Sequence, residues 1–264
     1  MKLITSASNP RVKQLLKLVR SSRERHKTGL TVLDGVHLIE AFMKSGGKPE
    51  LIAISETAAD DQEIININNK LKNSLKLMVS DVLFRQLSPV ETPTGIAAVV
   101  KTSRPARVQP ESAGACVLLE NIQDPGNLGS ILRSAAAADV DEIYLSGGCA
   151  DAWSPRALRA GMGAHFVLRI CEGVDLPEFV SDYRGKIVVA CGDAKHSVFE
   201  TRLCGRTALV LGNEGAGVSL LLRKAAHFEV RIPMSGKVES LNVAAAAAVC
   251  LFERVRQAQE DSHR

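Results

Sequence analysis

Three short stretches of this 264-residue chain place residues capable of chemistry at turns that can expose them. The first is Asp124-Pro125-Gly126-Asn127-Leu128-Gly129-Ser130-Ile131-Leu132-Arg133. Arg133 falls in the second turn of a helix, among Leu128, Ile131, Leu132 and Ala135. A lone guanidinium there either closes the helix face in a structural ion pair or serves an anionic ligand. The second stretch is Leu209-Val210-Leu211-Gly212-Asn213-Glu214-Gly215-Ala216-Gly217. Three glycines after a strand let backbone approach a nucleotide closely. Their spacing, G-x-x-G-x-G, is neither the dinucleotide pattern nor the phosphate-loop pattern. Glu214 inside the loop can hold hydroxyls or orient a base. The third is Ile232-Pro233-Met234-Ser235-Gly236-Lys237-Val238-Glu239-Ser240-Leu241-Asn242-Val243. Ser240 suits a helix N-cap. Asn242 puts an amide into the first turn of an apolar helix, where it needs a partner.

The elements that position these stretches alternate. Strand Val117–Glu120, helix Leu128–Ala138, strand Ile143–Leu145 and helix Pro155–Arg159 come first. Strands follow near Val167, at Ile187–Ala190, at Leu209–Leu211 and at Val230–Ile232, and a helix closes the chain from about Leu241 to Gln257. Such alternation predicts a mostly parallel sheet covered by helices. A proline-bearing stretch, residues 104–113, separates this part (114–264) from a first part (1–103). In the first part Asn9 and Pro10 start a helix, and Val12, Leu15, Leu16 and Val19 recur at helical spacing. Strands Leu30–Leu33 and Leu51–Ile54 with a helix between them make a β-α-β unit. A helix near 60–72, a strand Leu75–Val79, a helix Val82–Leu87 and a strand Ile96–Val100 complete a small α/β domain.

Hydrophobic residues at 45% and charged residues at 23% suit a folded globular chain rather than a disordered one. The longest apolar run, Val243 to Phe252, falls short of the about 18 residues that span a bilayer. The N-terminus lacks a signal-peptide core, and the expected location is the cytoplasm. Six cysteines at wide, irregular gaps are expected as reduced thiols, and no metal is expected. Charge is uneven. Residues 1–30 hold eight basic residues against Glu24 alone, a net +7, so with +4 overall the remainder carries −3. This is either a solvated helix face or a surface for a polyanion. Its candidate contacts are Arg11, Lys13, Lys17, Arg20, Arg23 and Arg25.

Taken in order and spacing, the three stretches resemble the three motifs of the SpoU/TrmH class of SPOUT RNA methyltransferases. The resemblance covers about residues 114–258. The first part is similar to the substrate-binding domain carried by many members, through Asn9-Pro10, Asp34-Gly35 and Glu91-Thr92-Pro93-Thr94-Gly95. Asp34 stands where glutamate is usual, and Asp139 where glycine often precedes the next strand.

The resemblance implies a trefoil-knotted, parallel-sheet α/β domain preceded by a small α/β RNA-binding domain. It implies S-adenosylmethionine as cofactor, held by Leu211, Gly212, Ile232, Met234 and Leu241. The implied reaction is methylation of a ribose 2′-hydroxyl, with Arg133 activating or positioning the hydroxyl. Asn127, Glu214, Ser240 and Asn242 would position RNA, arginine and cofactor. It also implies a homodimer joined through the final helix, with Leu241, Val249, Leu251 and Phe252 as candidate contacts. The expected substrate is ribosomal RNA. A transfer-RNA methyltransferase and a non-catalytic RNA-binding protein on the same fold are the alternatives. A dinucleotide-dependent oxidoreductase is disfavoured by the glycine spacing.

Overall fold

The computed structural model describes residues 2–71, 74–88, 90, 92–103 and 109–262. Glu91 of the Glu-Thr-Pro stretch and residues 104–108 of the linker lie outside them. The chain forms two compact units. One comprises Met1–Ser103 with Trp153–Phe166, and the other comprises Arg104–Ala152 with Val167–Arg264. Trp153–Phe166 is the departure from the division drawn on sequence. It packs in the first unit, where the Thr31 hydroxyl donates to the Trp153 carbonyl at 2.6 Å. The Phe42 and Phe166 rings there meet edge-on with centroids 5.2 Å apart.

In the first unit α1 (Pro10–Arg20) starts where Asn9 accepts from the Arg11 amide and Pro10 presets the first turn. Val12, Leu15 and Leu18 turn inward from α1 onto a core shared with Val32, Ala53, Val79, Phe84 and Val99. Each such burial contributes about 1.5–3 kcal/mol. Ser21 then caps a second helix, α2 (Ser22–Thr28), which ends at Gly29 with φ 67°. The sheet is built from β1 (Leu3–Ile4), β2 (Leu30–Asp34), β3 (Leu51–Ser55), β4 (Leu75–Val79) and β5 (Ile96–Lys101), in the order β1-β4-β3-β5-β2. β5 lies between β2 and β3 and runs antiparallel to both. The expected β-α-β unit is therefore not a pair of adjacent strands. The helices of this unit are α3 (Val36–Lys44), α4 (Gln62–Lys70) and α5 (Asp81–Leu87). A further helix, α7 (Pro155–Gly161), comes from the second stretch of chain.

The second unit is a parallel seven-stranded sheet. Its strands are β6 (Cys116–Leu119), β7 (Glu142–Leu145), β8 (Arg169–Cys171), β9 (Lys186–Ala190), β10 (His196–Ser197), β11 (Thr207–Leu211) and β12 (Phe228–Arg231). Their order is β10-β12-β9-β11-β6-β7-β8. The strand expected near Val167 is β8, which starts two residues later, and Val167 itself is 68% exposed. The helices are α6 (Pro125–Ala137), α8 (Leu176–Asp182), α9 (Leu220–Lys224) and α10 (Val243–Ser262). β6 and β11 are buried throughout, as central parallel strands must be. The core gathers Leu118, Tyr144, Phe179, Val189, Val210 and Leu222. α6 packs on α10, and Arg254 donates to the Ala138 carbonyl at 3.1 Å. All six cysteines are free, and burial pushes the Cys116 and Cys250 thiols up to about 12. No helix among the described residues is long and apolar enough to cross a membrane.

Candidate active site

Parallel strands end at Leu119, Leu145 and Leu211, and ligands of open α/β sheets bind beyond such carboxyl ends. The loops that follow are laced together by asparagine. After β11, the Asn213 side-chain oxygen accepts from the Gly215 and Ala216 amides at 3.0 and 2.9 Å. Its amide nitrogen donates to the Asn121 carbonyl at 2.9 Å, tying the loop to the end of β6. A Cβ on Gly212 would overlap the Gly217 backbone and the Val218 nitrogen, so this turn requires glycine. Glu120 accepts from the Ser219 amide at 2.7 Å and adds a second tie. Asn121 sits at φ 55°, a left-handed conformation that asparagine tolerates. Its amide donates to Ser146 Oγ at 2.9 Å, and Ser146 returns a bond to Asn121 Oδ1 at 3.1 Å.

On this frame the three motif stretches meet. Asp124 caps α6 by accepting from the Asn127 amide at 2.8 Å. The Asn127 side chain then donates to Glu214 Oε1 at 3.1 Å and accepts from Asn242 Nδ2 at 3.0 Å. Asn242 Oδ1 accepts from the Ala244 and Ala245 amides at 2.9 and 3.3 Å, so Asn242 caps α10. Amide orientation along the chain is dictated from both ends. A carboxylate only accepts and helix N–H groups only donate, which leaves each asparagine one way to face. Burial raises the Glu214 carboxyl, but hydrogen bonds from Asn127 and from the backbone of Glu214, Gln123 and Asp124 outweigh it and hold the group below its ordinary value. Glu214 is thus an anion at neutral pH and a weak proton acceptor. Its geometry suits holding a partner in place.

Ser240 is exposed and does not cap α10, because the helix begins three residues later and Asn242 takes the cap. Arg133 is exposed on α6, with no hydrogen bond or ion pair among the described residues. The structural ion pair that would explain it is absent there. Leu211 and Gly212 are buried, and Ile232 is half-buried. Met234, Val238 and Leu241 are exposed apolar side chains on the segment between β12 and α10. No residue from Pro233 to Leu241 makes a hydrogen bond among the described residues, so its backbone is open to a ligand. Exposed apolar surface beside unused backbone donors and acceptors fits an adenosine-bearing group.

In the first unit Arg11, Lys13, Lys17, Arg20 and Arg23 are exposed along α1 and α2. Arg25 is not on that face. It is 4% exposed, and its guanidinium donates to the Leu18 and Val19 carbonyls at 2.6 and 3.2 Å, closing the end of α1. Residues that motif reasoning passes over are Glu120, Asn121 and Asn213. A signal for the last two exists, since asparagine beside a strand end or inside a glycine turn commonly binds local backbone.

Residues 114–252 match the SpoU rRNA Methylase family, and residues 9–98 match the MRM3-like substrate binding domain. The chain is 34% identical over 256 residues to the 23S rRNA (guanosine(2553)-2′-O)-methyltransferase RlmP of Bacillus subtilis, covering 96% of this chain and 98% of that protein. The crystal structure of an RNA 2′-O ribose methyltransferase superposes with TM-score 0.84 at 29% identity, covering 98% of this chain and 100% of that one. AviRb, a SpoU methyltransferase from Streptomyces viridochromogenes solved with AdoMet, superposes with TM-score 0.82 at 26% identity, covering 96% and 100%. Matched across its whole second sheet and along most of its length, this chain belongs to the SpoU rRNA methylase family.

Proposed function

We propose that this protein transfers a methyl group from S-adenosylmethionine to a ribose 2′-hydroxyl of ribosomal RNA. The observation that carries the reading is the hydrogen-bonded chain Glu214–Asn127–Asn242, which joins three distant stretches at the carboxyl end of a parallel sheet in a chain of this family. The cofactor, when bound, supplies a methyl group on a sulfonium. Leu211, Gly212, Ile232, Met234 and Leu241 would hold it, with Ser240 beside them. A ribose hydroxyl is a poor nucleophile and needs alignment and charge stabilisation. A guanidinium is a permanent cation suited to phosphate and to a developing alkoxide. Arg133, exposed and without a hydrogen bond or ion pair among the described residues, serves that role, and the hydroxyl proton leaves to the RNA phosphate or to water. Asn127, oriented by Glu214 and Asn242, fixes the RNA backbone next to it.

Residues 1–103, with Trp153–Phe166 packed among them, act as the RNA-binding domain, and the rest of 114–264 as the methyltransferase domain. The exposed face of Arg11, Lys13, Lys17, Arg20 and Arg23 binds phosphates. The C-terminal chain forms the trefoil knot of the family, and two copies pair in the cytoplasm through the final helix. Leu241 and Phe252, 39% and 49% exposed, supply apolar contacts. Leu251 is 1% exposed within its own chain and is not among them. The reading is tested by mass-spectrometric mapping of ribose methylation in ribosomal and transfer RNA from cells with and without this protein. Loss of one ribosomal 2′-O-methyl group is expected. Loss confined to transfer RNA, or no loss at all, overturns it.

A further inference from the structure

A cavity of about 500 Å³ opens in the first unit at the end of β2 and the start of α3. Its volume is in the range that admits a nucleotide-sized group. Leu38 and Ile64 give it an apolar wall, and Met162, 48% exposed, faces it from the α7 side. Arg159 and His37 stand exposed along its lining. The feature that calls for a ligand is Asp34. Its Oδ2 accepts from Ser88 Oγ at 2.8 Å, while its Oδ1 is buried with no hydrogen-bond partner among the described residues. Burial raises the Asp34 carboxyl, opposed by the Ser88 bond and by the charge of Arg159. An acceptor left empty in a desolvated wall is unfavourable unless something completes it.

Beside Asp34, Gly35 (φ 94°) is the N-cap of α3 and has no side chain to bond the helix's first amides. The first backbone N–H groups of that helix are therefore donors adjoining the carboxylate. A carboxylate acceptor next to amide donors is complementary to one nucleobase edge. Guanine presents two neighbouring N–H donors flanked by a carbonyl oxygen. Adenine and cytosine present a ring acceptor where guanine has N1–H, and uracil presents a single N–H between two carbonyl oxygens, so guanine alone offers two adjacent donors to a carboxylate. Sequence-specific RNA recognition uses unstacked bases read in this way, with an apolar slot for the ring.

We propose that the cavity bounded by Asp34, the start of α3 and Met162 binds one unstacked guanine of the RNA substrate. The carboxylate turns about χ2, a soft torsion in aspartate, to meet the base. Arg159 meets a phosphate of the same nucleotide. The proposal rests on the assignment of the first unit to substrate binding and adds to it a specificity pocket separate from the basic face of α1.

The test compares binding of three heptameric RNAs, UUUGUUU, UUUAUUU and UUUIUUU, to the full chain and to two variants. Inosine lacks the exocyclic amine of guanine and keeps everything else on that edge. Wild type is expected to favour the guanosine heptamer by roughly tenfold over the other two, in keeping with one well-made base contact. Asp34→Asn retains an acceptor for Ser88 and removes a buried charge. It is expected to abolish the preference with an equal or higher melting temperature. Thr92→Trp, at an exposed position of the lining, fills the cavity and is expected to do the same. Lys13→Glu with Lys17→Glu is expected to weaken all three heptamers alike and leave the preference intact. Absence of a guanosine preference in wild type, or its survival in Asp34→Asn, overturns the pocket. If instead the charge-reversed protein binds as wild type does while the preference holds, the basic face is wrong and the pocket stands.

Discussion

Replacing Asn127 with alanine removes the middle member of the chain that joins Glu214 to Asn242. Two side-chain hydrogen bonds disappear, at 3.1 and 3.0 Å, one of them to a carboxylate. Such bonds are worth about 0.5–1.5 kcal/mol each, and these lie at exposed positions, toward the lower end, so the loss is about 1–2 kcal/mol. For a domain of this size that lowers the melting temperature by about 2–8 °C. The effect on catalysis is larger, because a displacement of about 1 Å in a positioned group costs on the order of 10²-fold in rate. The stability difference should also depend on pH in a defined direction. Glu214 has a lowered folded-state value, so its contribution is full above its ordinary 4.5 and fades as pH falls below that. The gap between wild type and Asn127→Ala should therefore narrow in acid. The assay is kcat/KM for methyl transfer to RNA, with thermal melts at neutral and acid pH on the same samples. A variant that melts lower but transfers methyl groups at the wild-type rate refutes the reasoning, since the chain would then be structural only.

Three further outcomes follow from other parts of the molecule. Lys13→Glu with Lys17→Glu should reduce the slope of log affinity against log salt by about 1.4–1.8, the value for two phosphate contacts; titration at several salt concentrations reads it. Arg25→Ala should leave that slope alone and destabilise the fold by about 1.5–3 kcal/mol, because a buried guanidinium leaves two helix-end carbonyls behind; a denaturant melt checks this. Gly212→Ala should abolish S-adenosylmethionine binding in calorimetry while the far-ultraviolet spectrum is kept, because the added Cβ meets backbone of the facing turn rather than a movable side chain.

Local pattern reaches some of this structure and stops at identifiable places. α6 is legible in its body, where Leu128, Ile131, Leu132 and Ala135 state the buried face, but the helix starts at Pro125 rather than at the expected Leu128, because Asp124 caps it and Pro125 presets the first turn. β6 and β11 are legible because central parallel strands are apolar without alternation. The insertion of β5 between β2 and β3 is not legible, since strand order follows from packing of the whole sheet. Nor is the two-residue β1, too short to carry a periodicity. At the site, residue types point to Asn127, Glu214 and Asn242, but their pairing spans 87 and 115 positions and is fixed only by the fold. The cap of α10 shifts from Ser240 to Asn242 because one asparagine satisfies the helix amides and Asn127 together. Arg25 reads as one more cation in a basic run, and only the packing of α2 against α1 turns it inward.

The most direct measurement uses S-adenosylmethionine labelled in its methyl group, the RNA substrate, and wild-type protein beside Arg133→Ala. After transfer the RNA is digested to nucleosides. The label is expected on a ribose 2′-oxygen with wild type, and nowhere with Arg133→Ala, whose cofactor affinity in calorimetry should match wild type. Label on a base, or full ribose labelling by Arg133→Ala, would contradict the account.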